Sequence, residues 1–271
     1  MENPLSKFPW QGSEDLNKKI SIKSGKACGQ DNISAEVWLT GDFDNELLDF
    51  CNKVYRYDPI DRWTESCILP FPKKGDLGLT TNRGITLTAI FAKNYNLLLL
   101  NRIRPELENI LRINHNGFRQ KRSIEGIKRI KAKNLPAVLM FVDFSKAFDS
   151  VHREKLNEII LANGIHEEIA STIMMLYQNS KSMVRSPDGD TDFFDIIAGV
   201  LQGDTLAPFL FILCLDYALR TSVNLHKELG FTLTKSRSSR YPAETITDLT
   251  TVMISLCFQT PSTKLQNFSI Y

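Results

Sequence analysis

The chain lacks three features that would assign it directly to a class of protein. Its five cysteines form no Cys-x-x-Cys pair and meet no paired histidines, which disfavours a zinc site and predicts reduced thiols. It has no run of about twenty apolar residues, so we expect no membrane span. The segment Met1 to Pro4 lacks the basic start and apolar run of a signal peptide, which makes the cytoplasm or nucleus the expected location.

A strong overall charge is also missing. The 271 residues are 42% hydrophobic, enough for a substantial core, and carry a formal net charge of only +2. The basic residues are clustered, however, and a local patch matters more than the sum for phosphate contact. The first group is Lys73, Lys74 and Arg83, and the denser group is Arg119, Lys121, Arg122, Lys128, Arg129, Lys131 and Lys133. The alternative for the denser group is that its side chains only solvate a helix face.

The most informative stretch present is the apolar run of strand character that ends at Asp143. A helix-like segment follows at once, so the carboxylate would stand at the end of a buried strand, where it could bind a metal ion. An N-terminal cap for the next segment is the alternative, since aspartate is a favoured cap. Phe148 lies five residues further on, and its ring could stack below a sugar or simply pack in the core.

A second informative segment runs from Gly199 to Asp204 and leads into a long apolar helix. Its glycines permit close backbone approach, and the amide of Gln202 can both donate and accept hydrogen bonds. Such a loop could lie against a base pair or a triphosphate. An ordinary strand-to-helix turn would have the same sequence pattern.

The pattern along the rest of the chain mixes helices and strands. Prolines favour an edge position for the strand at 66–72, and Pro105 is expected to kink or restart the preceding helix. The stretch 226–244 is polar and loop-like. Strands are also predicted at 137–143, 250–258 and, as a hairpin, at 182–186 and 193–197; helices are predicted at 45–55, 89–104, 124–131, 153–163, 167–179 and 206–223.

Each of these motifs is modest by itself, but their combination in this order is specific for one family. The chain resembles the reverse transcriptase domain of non-LTR (LINE-type) retrotransposons over roughly residues 20 to 248, in family order. The six segments that carry the resemblance are Gly25–Asp31, Ile68–Asp76, Asn82–Leu87, Asn116–Ser123, Phe141–Asp149 and Gly199–Asp204.

The resemblance implies an α+β right-hand polymerase, with an N-terminal extension and fingers over residues 1–135 and a palm over 136–248. The palm would be an antiparallel sheet packed on helices, and the thumb would be absent. Such enzymes use Mg²⁺ to copy an RNA template onto a DNA primer. The resemblance implies Asp143 as catalytic metal ligand, Phe148 as the sugar-excluding aromatic, Gln202 with Gly203 near nucleotide and template, and Lys73, Arg83 and Arg119 as phosphate or template contacts.

One departure from the family is serious. The family places an aromatic-x-Asp-Asp hairpin shortly after a segment like Ile246–Leu249, but residues 249–271 contain no aspartate and no glutamate. A reading-frame slip after Leu249 or a variant exon would explain this divergent tail. Asp248 lies a few residues early to substitute, and Asp216 lies inside an apolar helix, where a structural role is expected; Asp149 and Asp204 are the other acids of this region.

We therefore expect a reverse transcriptase domain by descent that is catalytically incomplete as translated, because one carboxylate cannot easily hold two magnesium ions. A non-catalytic nucleic-acid binder and a non-functional product of a decayed element are the alternatives.

Overall fold

The computed structural model describes most of the chain in two compact units. The first unit comprises residues 1–107 and 148–210, and the second comprises residues 108–147 and 211–271. The residues described are 23–40, 44–56, 63–72, 82–119, 125–136, 138–224, 231–246, 248–250 and 254–259.

The helices follow the predicted pattern closely. Pro105 lies inside the longest helix and does not restart it. Among the residues described, no helix combines the length and apolar character needed to cross a bilayer. The helices are α1 (Ala35–Leu39), α2 (Asp44–Arg56), α3 (Ile90–Ile110), α4 (Glu125–Ala132), α5 (Arg153–Ala162), α6 (Glu167–Met175) and α7 (Ala207–Asn224).

Within the part of the chain that the structure describes, the strands build three sheets. The first unit contains a sheet in the order β2-β1-β4-β5, with β6 also paired to β4; the second contains the sheet β3-β10-β9 and the hairpin β7-β8. The strands are β1 (Glu65–Pro72), β2 (Asn82–Leu87), β3 (Val138–Asp143), β4 (Lys181–Ser186), β5 (Gly189–Asp190), β6 (Phe194–Asp195), β7 (Phe231–Thr234), β8 (Glu244–Ile246), β9 (Asp248–Thr250) and β10 (Ile254–Gln259).

The edge position predicted for β1 is wrong. It lies between β2, to which it is antiparallel, and β4, to which it is parallel. The pairing with β4 stops at Ile68, whereas the pairing with β2 continues to Pro72. Pro70 and Pro72, which have no N–H to donate, therefore lie beyond the reach of β4, where β1 needs a partner on one side only.

An aromatic cluster forms part of the core of the first unit. The ring centroid of Phe91 lies 5.0 Å from those of Trp38 and Phe50 and 5.1 Å from that of Trp63. Trp63 also contacts Tyr95, one turn further along α3, at 5.4 Å. Tilted and edge-on contacts of this kind add to the stabilisation from burial alone. The cluster therefore joins α1, α2 and α3 beside the sheet.

In the second unit, α4 packs on the β7-β8 hairpin through a small apolar cluster. Phe231 and Leu233 of β7 are buried with Ile130 of α4 and Ile246 of β8. The loop-like prediction for 226–244 is therefore wrong over β7. Only every second residue of β7 is apolar, and this alternation buries one face of the strand against α4.

The β3-β10-β9 sheet holds the strand predicted at 137–143. β10 runs antiparallel to β3 and pairs along its full length, from Ile254 opposite Asp143 to Gln259 opposite Val138. The β-prone stretch predicted at 250–258 is found as the end of β9 and most of β10.

Candidate functional site

The loop from Gly199 to Asp204 is fixed at its start by the segment that follows β3. Gly199 donates its N–H to the carbonyl of Val151 at 2.8 Å, and Val200 donates to the carbonyl of Phe148 at 2.9 Å. Gly199 has a φ of +81°, and a Cβ there would lie 2.8 Å from the Cα of Asp149. Only glycine fits this position, because the φ value and the close approach both exclude a side chain.

The same loop is fixed at its far end by β2. Thr86 of β2 donates its backbone N–H to the carbonyl of Gln202 at 2.9 Å. Gly203 follows with a φ of +119°, and a Cβ at this position would lie 2.5 Å from the carbonyl oxygen of Thr86. The structure thus brings together three separate sequence motifs: the strand containing Arg83, the segment containing Phe148, and the loop containing Gln202.

Arg153, at the start of α5, stabilises the loop through hydrogen bonds to backbone carbonyls. Its Nε donates to the carbonyl of Gly199 at 3.0 Å, and its Nη1 donates to the carbonyl of Tyr177 at 2.5 Å. Its guanidinium also lies 5.5 Å from the centre of the Tyr177 ring. Burial lowers the pKa of Arg153, but an arginine remains a cation in such a position.

Asp204 closes the loop as a buried structural carboxylate. Its Oδ1 accepts a hydrogen bond from Asn96 at 2.6 Å, and its Oδ2 accepts one from the Tyr177 hydroxyl at 2.9 Å. The N–H of Leu206, just before α7, donates to Oδ1 at 3.4 Å. Burial raises the pKa of Asp204, and the hydrogen bonds from Asn96 and Tyr177 oppose that rise. Both oxygens are occupied, so Asp204 joins α3, α7 and the end of α6 and is not offered to a ligand.

Phe148 and Gln202 therefore lie on neighbouring, hydrogen-bonded segments. The side chain of Phe148 is 8% exposed, that of Gln202 is half-buried, and Gly203 is exposed. The backbone of Arg83 lies in β2 opposite Phe71. Lys73 lies outside the residues described.

Asp143 lies in the second unit, at the last position of β3. Its partner in the register is Ile254, and the next pair is Val142 with Ser255. Asp248 of β9 pairs with Cys257 of β10, three positions along that strand from Ile254. Positions an odd number of residues apart alternate across a pleated sheet, so 248 and 143 belong to opposite faces. Within the described ranges, no group of three His, Cys, Asp or Glu residues could hold a metal ion.

Asp216 of α7 is structural, as its apolar helix predicted. Its side chain is 3% exposed, and its two oxygens accept from the Nε of Arg112 at 2.9 Å and the Nε of Arg220 at 2.7 Å. The second guanidinium also donates to the carbonyl of Ile110. The Arg220 pair lies within α7, whereas the Arg112 pair and the bond from Arg220 to Ile110 tie α7 to the end of α3.

Arg119, a phosphate or template contact in the resemblance, is buried against the turn that follows α3. Its side chain is 1% exposed, and its Nη2 lies 2.7 Å from the Glu108 carboxylate. The guanidinium also donates to the carbonyls of Glu108, Arg112 and His115. These bonds fix the turn after α3, and we expect Arg119 to act structurally.

Sequence reasoning did not find Arg153 or Tyr177. Both act through backbone carbonyls or a buried carboxylate, and no motif spacing signals such partners.

Residues 71–232, more than half of the chain, match the family described as reverse transcriptase (RNA-dependent DNA polymerase). The chain belongs to the reverse transcriptase family. The resemblance to the reverse transcriptases of non-LTR retrotransposons is confirmed by similar proteins of mobile elements.

Two of these relatives illustrate the range of similarity. The chain is 25% identical over 227 residues to the Retrovirus-related Pol polyprotein from type-1 retrotransposable element R2 of Nasonia vitripennis, covering 81% of this chain and 22% of that protein. It is 32% identical over 89 residues to the corresponding polyprotein from type-2 retrotransposable element R2DM of Drosophila melanogaster, covering 33% of this chain and 8% of that protein. The reverse transcriptase chain thus spans less than a quarter of the length of these relatives.

The solved structures of Candida tropicalis telomerase are similar in fold. The apo form superposes with a TM-score of 0.51 at 11% identity, over 90% of this chain and 48% of that one. The complex with a fragment of telomeric RNA gives 0.51 at 13% identity, over 84% and 40%. At such identities the likeness concerns the fold alone, and the mixed helices and strands fit a polymerase fold.

Proposed function

We propose that this reverse transcriptase domain derives from an enzyme that copies RNA onto a DNA primer, and that its catalytic centre is incomplete as translated. The observation that carries the first part is the loop Gly199–Asp204, which bonds both to the segment after β3 and to β2. We assign residues 1–135 to an N-terminal extension and fingers, 136–248 to the palm, and 249–271 to a divergent tail.

The loop supports a role in nucleotide and template binding. Gly203 is exposed and has no side chain, so a base or a phosphate can approach its backbone closely. Gln202 beside it has an amide that can donate and accept at the same time. Phe148 is held next to the loop by the hydrogen bond from Val200 to its carbonyl, which suits an aromatic that contacts a sugar. Arg83, in the strand that holds the loop, remains our candidate for phosphate contact.

The metal centre supports the second part. Reverse transcriptases generally use Mg²⁺, and two ions bridged by carboxylates would orient the attacking hydroxyl and the leaving phosphate. We propose Asp143 as the one carboxylate ligand that the chain retains. Its neighbours in the register, Ile254 and Ser255, carry no charge. β10 carries no carboxylate of its own, which supports the proposal that the two-magnesium site is incomplete, and we derive no catalytic step through it.

A restoration experiment tests both parts together. β9 ends at Thr250 and β10 begins at Ile254, so positions 251–253 connect them, as the aromatic-x-Asp-Asp hairpin does in the family. We expect the unchanged chain to give no primer extension above background with an RNA template, a DNA primer and Mg²⁺. The variant Val252→Asp/Met253→Asp should gain extension, and adding Asp143→Ala should abolish the gain.

Two results would contradict the proposal. If the unchanged chain extends the primer robustly and Asp143→Ala abolishes this extension, the metal centre is complete. Extension by the restored variant that survives Asp143→Ala would show that Asp143 is not a ligand. Loss of the paired acids should reduce the rate by several orders of magnitude, so either result would be easy to distinguish from the expected one.

A second candidate is a nucleic-acid binder without polymerase activity, which the uncharged register opposite Asp143 favours. An RNA template and a DNA primer are the expected partners in both cases. Salt-dependent RNA binding without extension by either the unchanged or the restored chain would favour the binder. A non-functional product of a decayed element would instead melt without cooperativity and lose its near-ultraviolet circular dichroism.

A further inference from the structure

The β7-β8 hairpin is fastened to α4 at the end nearest its loop. Arg129 donates two hydrogen bonds to the Glu244 carboxylate, at 2.5 and 2.6 Å. Lys133, one helical turn further on, donates to the carbonyl of Leu233 at 3.3 Å and to the hydroxyl of Thr234 at 3.4 Å. Because Thr234 pairs with Glu244 in the hairpin, Arg129 of α4 and Lys133, the residue just after α4, bond to both strands where the loop begins.

The loop itself has a defined conformation. Arg237 donates its N–H to the carbonyl of Tyr241 at 3.0 Å, and Tyr241 donates to the carbonyl of Ser238 at 3.0 Å. The hydroxyl of Ser236 reaches the carbonyls of Ser238 and Tyr241 at 3.3 and 3.2 Å. These bonds close a tight turn, so the side chains of the loop are presented from a fixed backbone.

The surface formed by α4 and the hairpin is strongly basic. The segments 125–136 and 231–246 contain seven basic and two acidic residues, a net charge of +5 in a chain whose total is +2. One of the two acids, Glu244, bonds to Arg129, and that hydrogen bond lowers the pKa of the Glu244 carboxyl. The exposed basic residues are Lys128, Lys131, Lys133, Lys235, Arg237 and Arg240.

An exposed aromatic side chain lies in the same hairpin loop as the basic residues Lys235, Arg237 and Arg240. Tyr241 follows Arg240 directly and is 70% exposed. Phosphate-binding cations beside an aromatic ring are the combination by which proteins hold single-stranded nucleic acid, since the cations follow the backbone and the ring stacks on a base.

We propose that this surface, hereafter the basic hairpin surface (Lys128, Lys131, Lys133, Lys235, Arg237, Arg240 and Tyr241), binds single-stranded RNA. The cations contact backbone phosphates and Tyr241 stacks on one base. The choice of RNA rests on the proposed function, but the surface lies outside the glycine loop and does not depend on Asp143. It would hold the RNA independently of nucleotide addition.

Salt titration of RNA binding tests the phosphate contacts. The triple variant Lys235→Gln/Arg237→Gln/Arg240→Gln is compared with the unchanged chain by fluorescence anisotropy of a labelled single-stranded RNA. Each lost contact should reduce the slope of log affinity against log salt by roughly 0.7, so the triple variant should lose about 2. The control Lys53→Gln/Lys155→Gln/Lys181→Gln removes the same charge from exposed positions of the first unit and should leave the slope unchanged.

Substitution of Tyr241 tests the stacking contact. Tyr241→Ala should weaken RNA binding about tenfold without changing the salt slope, whereas Tyr241→Phe should retain it, because the stacking needs only the ring. Should the triple variant not fold, the single variants Arg237→Gln and Arg240→Gln each carry the same test, with a slope lower by about 0.7.

The outcomes separate this inference from the proposed function. An equal slope for the triple variant and the unchanged chain, or no RNA binding by the unchanged chain at low salt, would overturn the basic hairpin surface. A slope loss without any effect of Tyr241→Ala, matched by equal competition from polyglutamate, would identify a general polyanion surface and also overturn it. A slope loss with a Tyr241 effect would support it even if the restored variant failed to extend a primer.

Discussion

Asp143, the last residue of β3, lies directly opposite Ile254 of β10 in an antiparallel pair. Directly paired positions share one face of a sheet, so the nearest cross-strand position to this aspartate belongs to an apolar residue. The next position along β10 is Ser255, which is neutral. Asp248 is three positions away in the register and belongs to the other face. β10 therefore pairs with β3 along its full length, and no residue of β10 carries a charge.

The contact between Gly203 and Thr86 predicts a large effect of one methyl group. In Gly203→Ala the new Cβ would meet the Thr86 carbonyl oxygen at 2.5 Å, at a φ of +119°. We expect a loss of at least about 2 kcal/mol in the free energy of unfolding, from backbone strain and the clash together. Urea unfolding measures this loss.

The control for this substitution is Gly189→Ala. Gly189 has a φ of +128° and nothing within 4 Å of the added Cβ, so it carries the strain without the clash. Equal losses for the two variants would show that Gly203 does not lie against β2.

Arg153 is expected to be necessary for the position of the glycine loop. Arg153→Met keeps much of the apolar stem but leaves the carbonyls of Gly199 and Tyr177 without their charged donor. We predict destabilisation by about 2–4 kcal/mol, because hydrogen bonds from charged groups are stronger than neutral ones. Arg185→Met is the matched control: Arg185 is half-exposed and pairs with Asp190 on the surface, so its loss should change stability by no more than about 0.5 kcal/mol. Similar values for the two variants would contradict the role of Arg153.

Asp204 predicts a defined pH dependence. Burial raises its pKa above the ordinary value of 3.8, so the folded chain retains this proton where the unfolded chain releases it. Its contribution to stability is therefore complete below the ordinary value and is lost as the pH rises toward the raised pKa. In Asp204→Asn this part of the slope of unfolding free energy against pH should be missing. Unfolding by urea at a series of pH values measures it, and an unchanged slope would count against a buried, protonatable Asp204.

Arg119 provides a test that separates structure from binding. Its buried guanidinium bonds to Glu108 and three carbonyls, so Arg119→Met should reduce stability by about 2–4 kcal/mol. The salt slope of RNA binding should remain that of the unchanged chain, in contrast to Arg237→Gln. A slope reduced by roughly 0.7 in Arg119→Met would restore it as a phosphate contact.

Most of the fold could be predicted from local pattern, and the errors have physical reasons. The strand before Asp143 could be predicted from its apolar run. The close-packed loop at 199–204 could be predicted from its glycines. The position of β1 could not be inferred from its prolines, because their effect depends on how far the parallel partner extends. The strand β7 is short and lies in a polar stretch, and its two apolar residues gain meaning only through the packing of α4.

The site was predictable where it rests on backbone chemistry and not where it rests on long-range partners. Gly199 and Gly203 are glycines because of contacts with Asp149 and Thr86, and glycine is visible in a sequence. Arg153 acts on carbonyls some 24 and 46 residues away, and any residue type can supply a carbonyl. Arg119 is the reverse case: its type suggested phosphate contact, but its burial assigns it to the turn after α3.

The number of Mn²⁺ ions bound through Asp143 tests the proposed incompleteness of the metal centre most directly. Mn²⁺ accepts the same oxygen ligands as Mg²⁺ and can be counted by electron paramagnetic resonance. We predict that the unchanged chain and Asp143→Ala bind the same number of ions, and that Val252→Asp/Met253→Asp binds additional ions only while Asp143 is present. Binding of two ions by the unchanged chain, both lost in Asp143→Ala, would contradict the account.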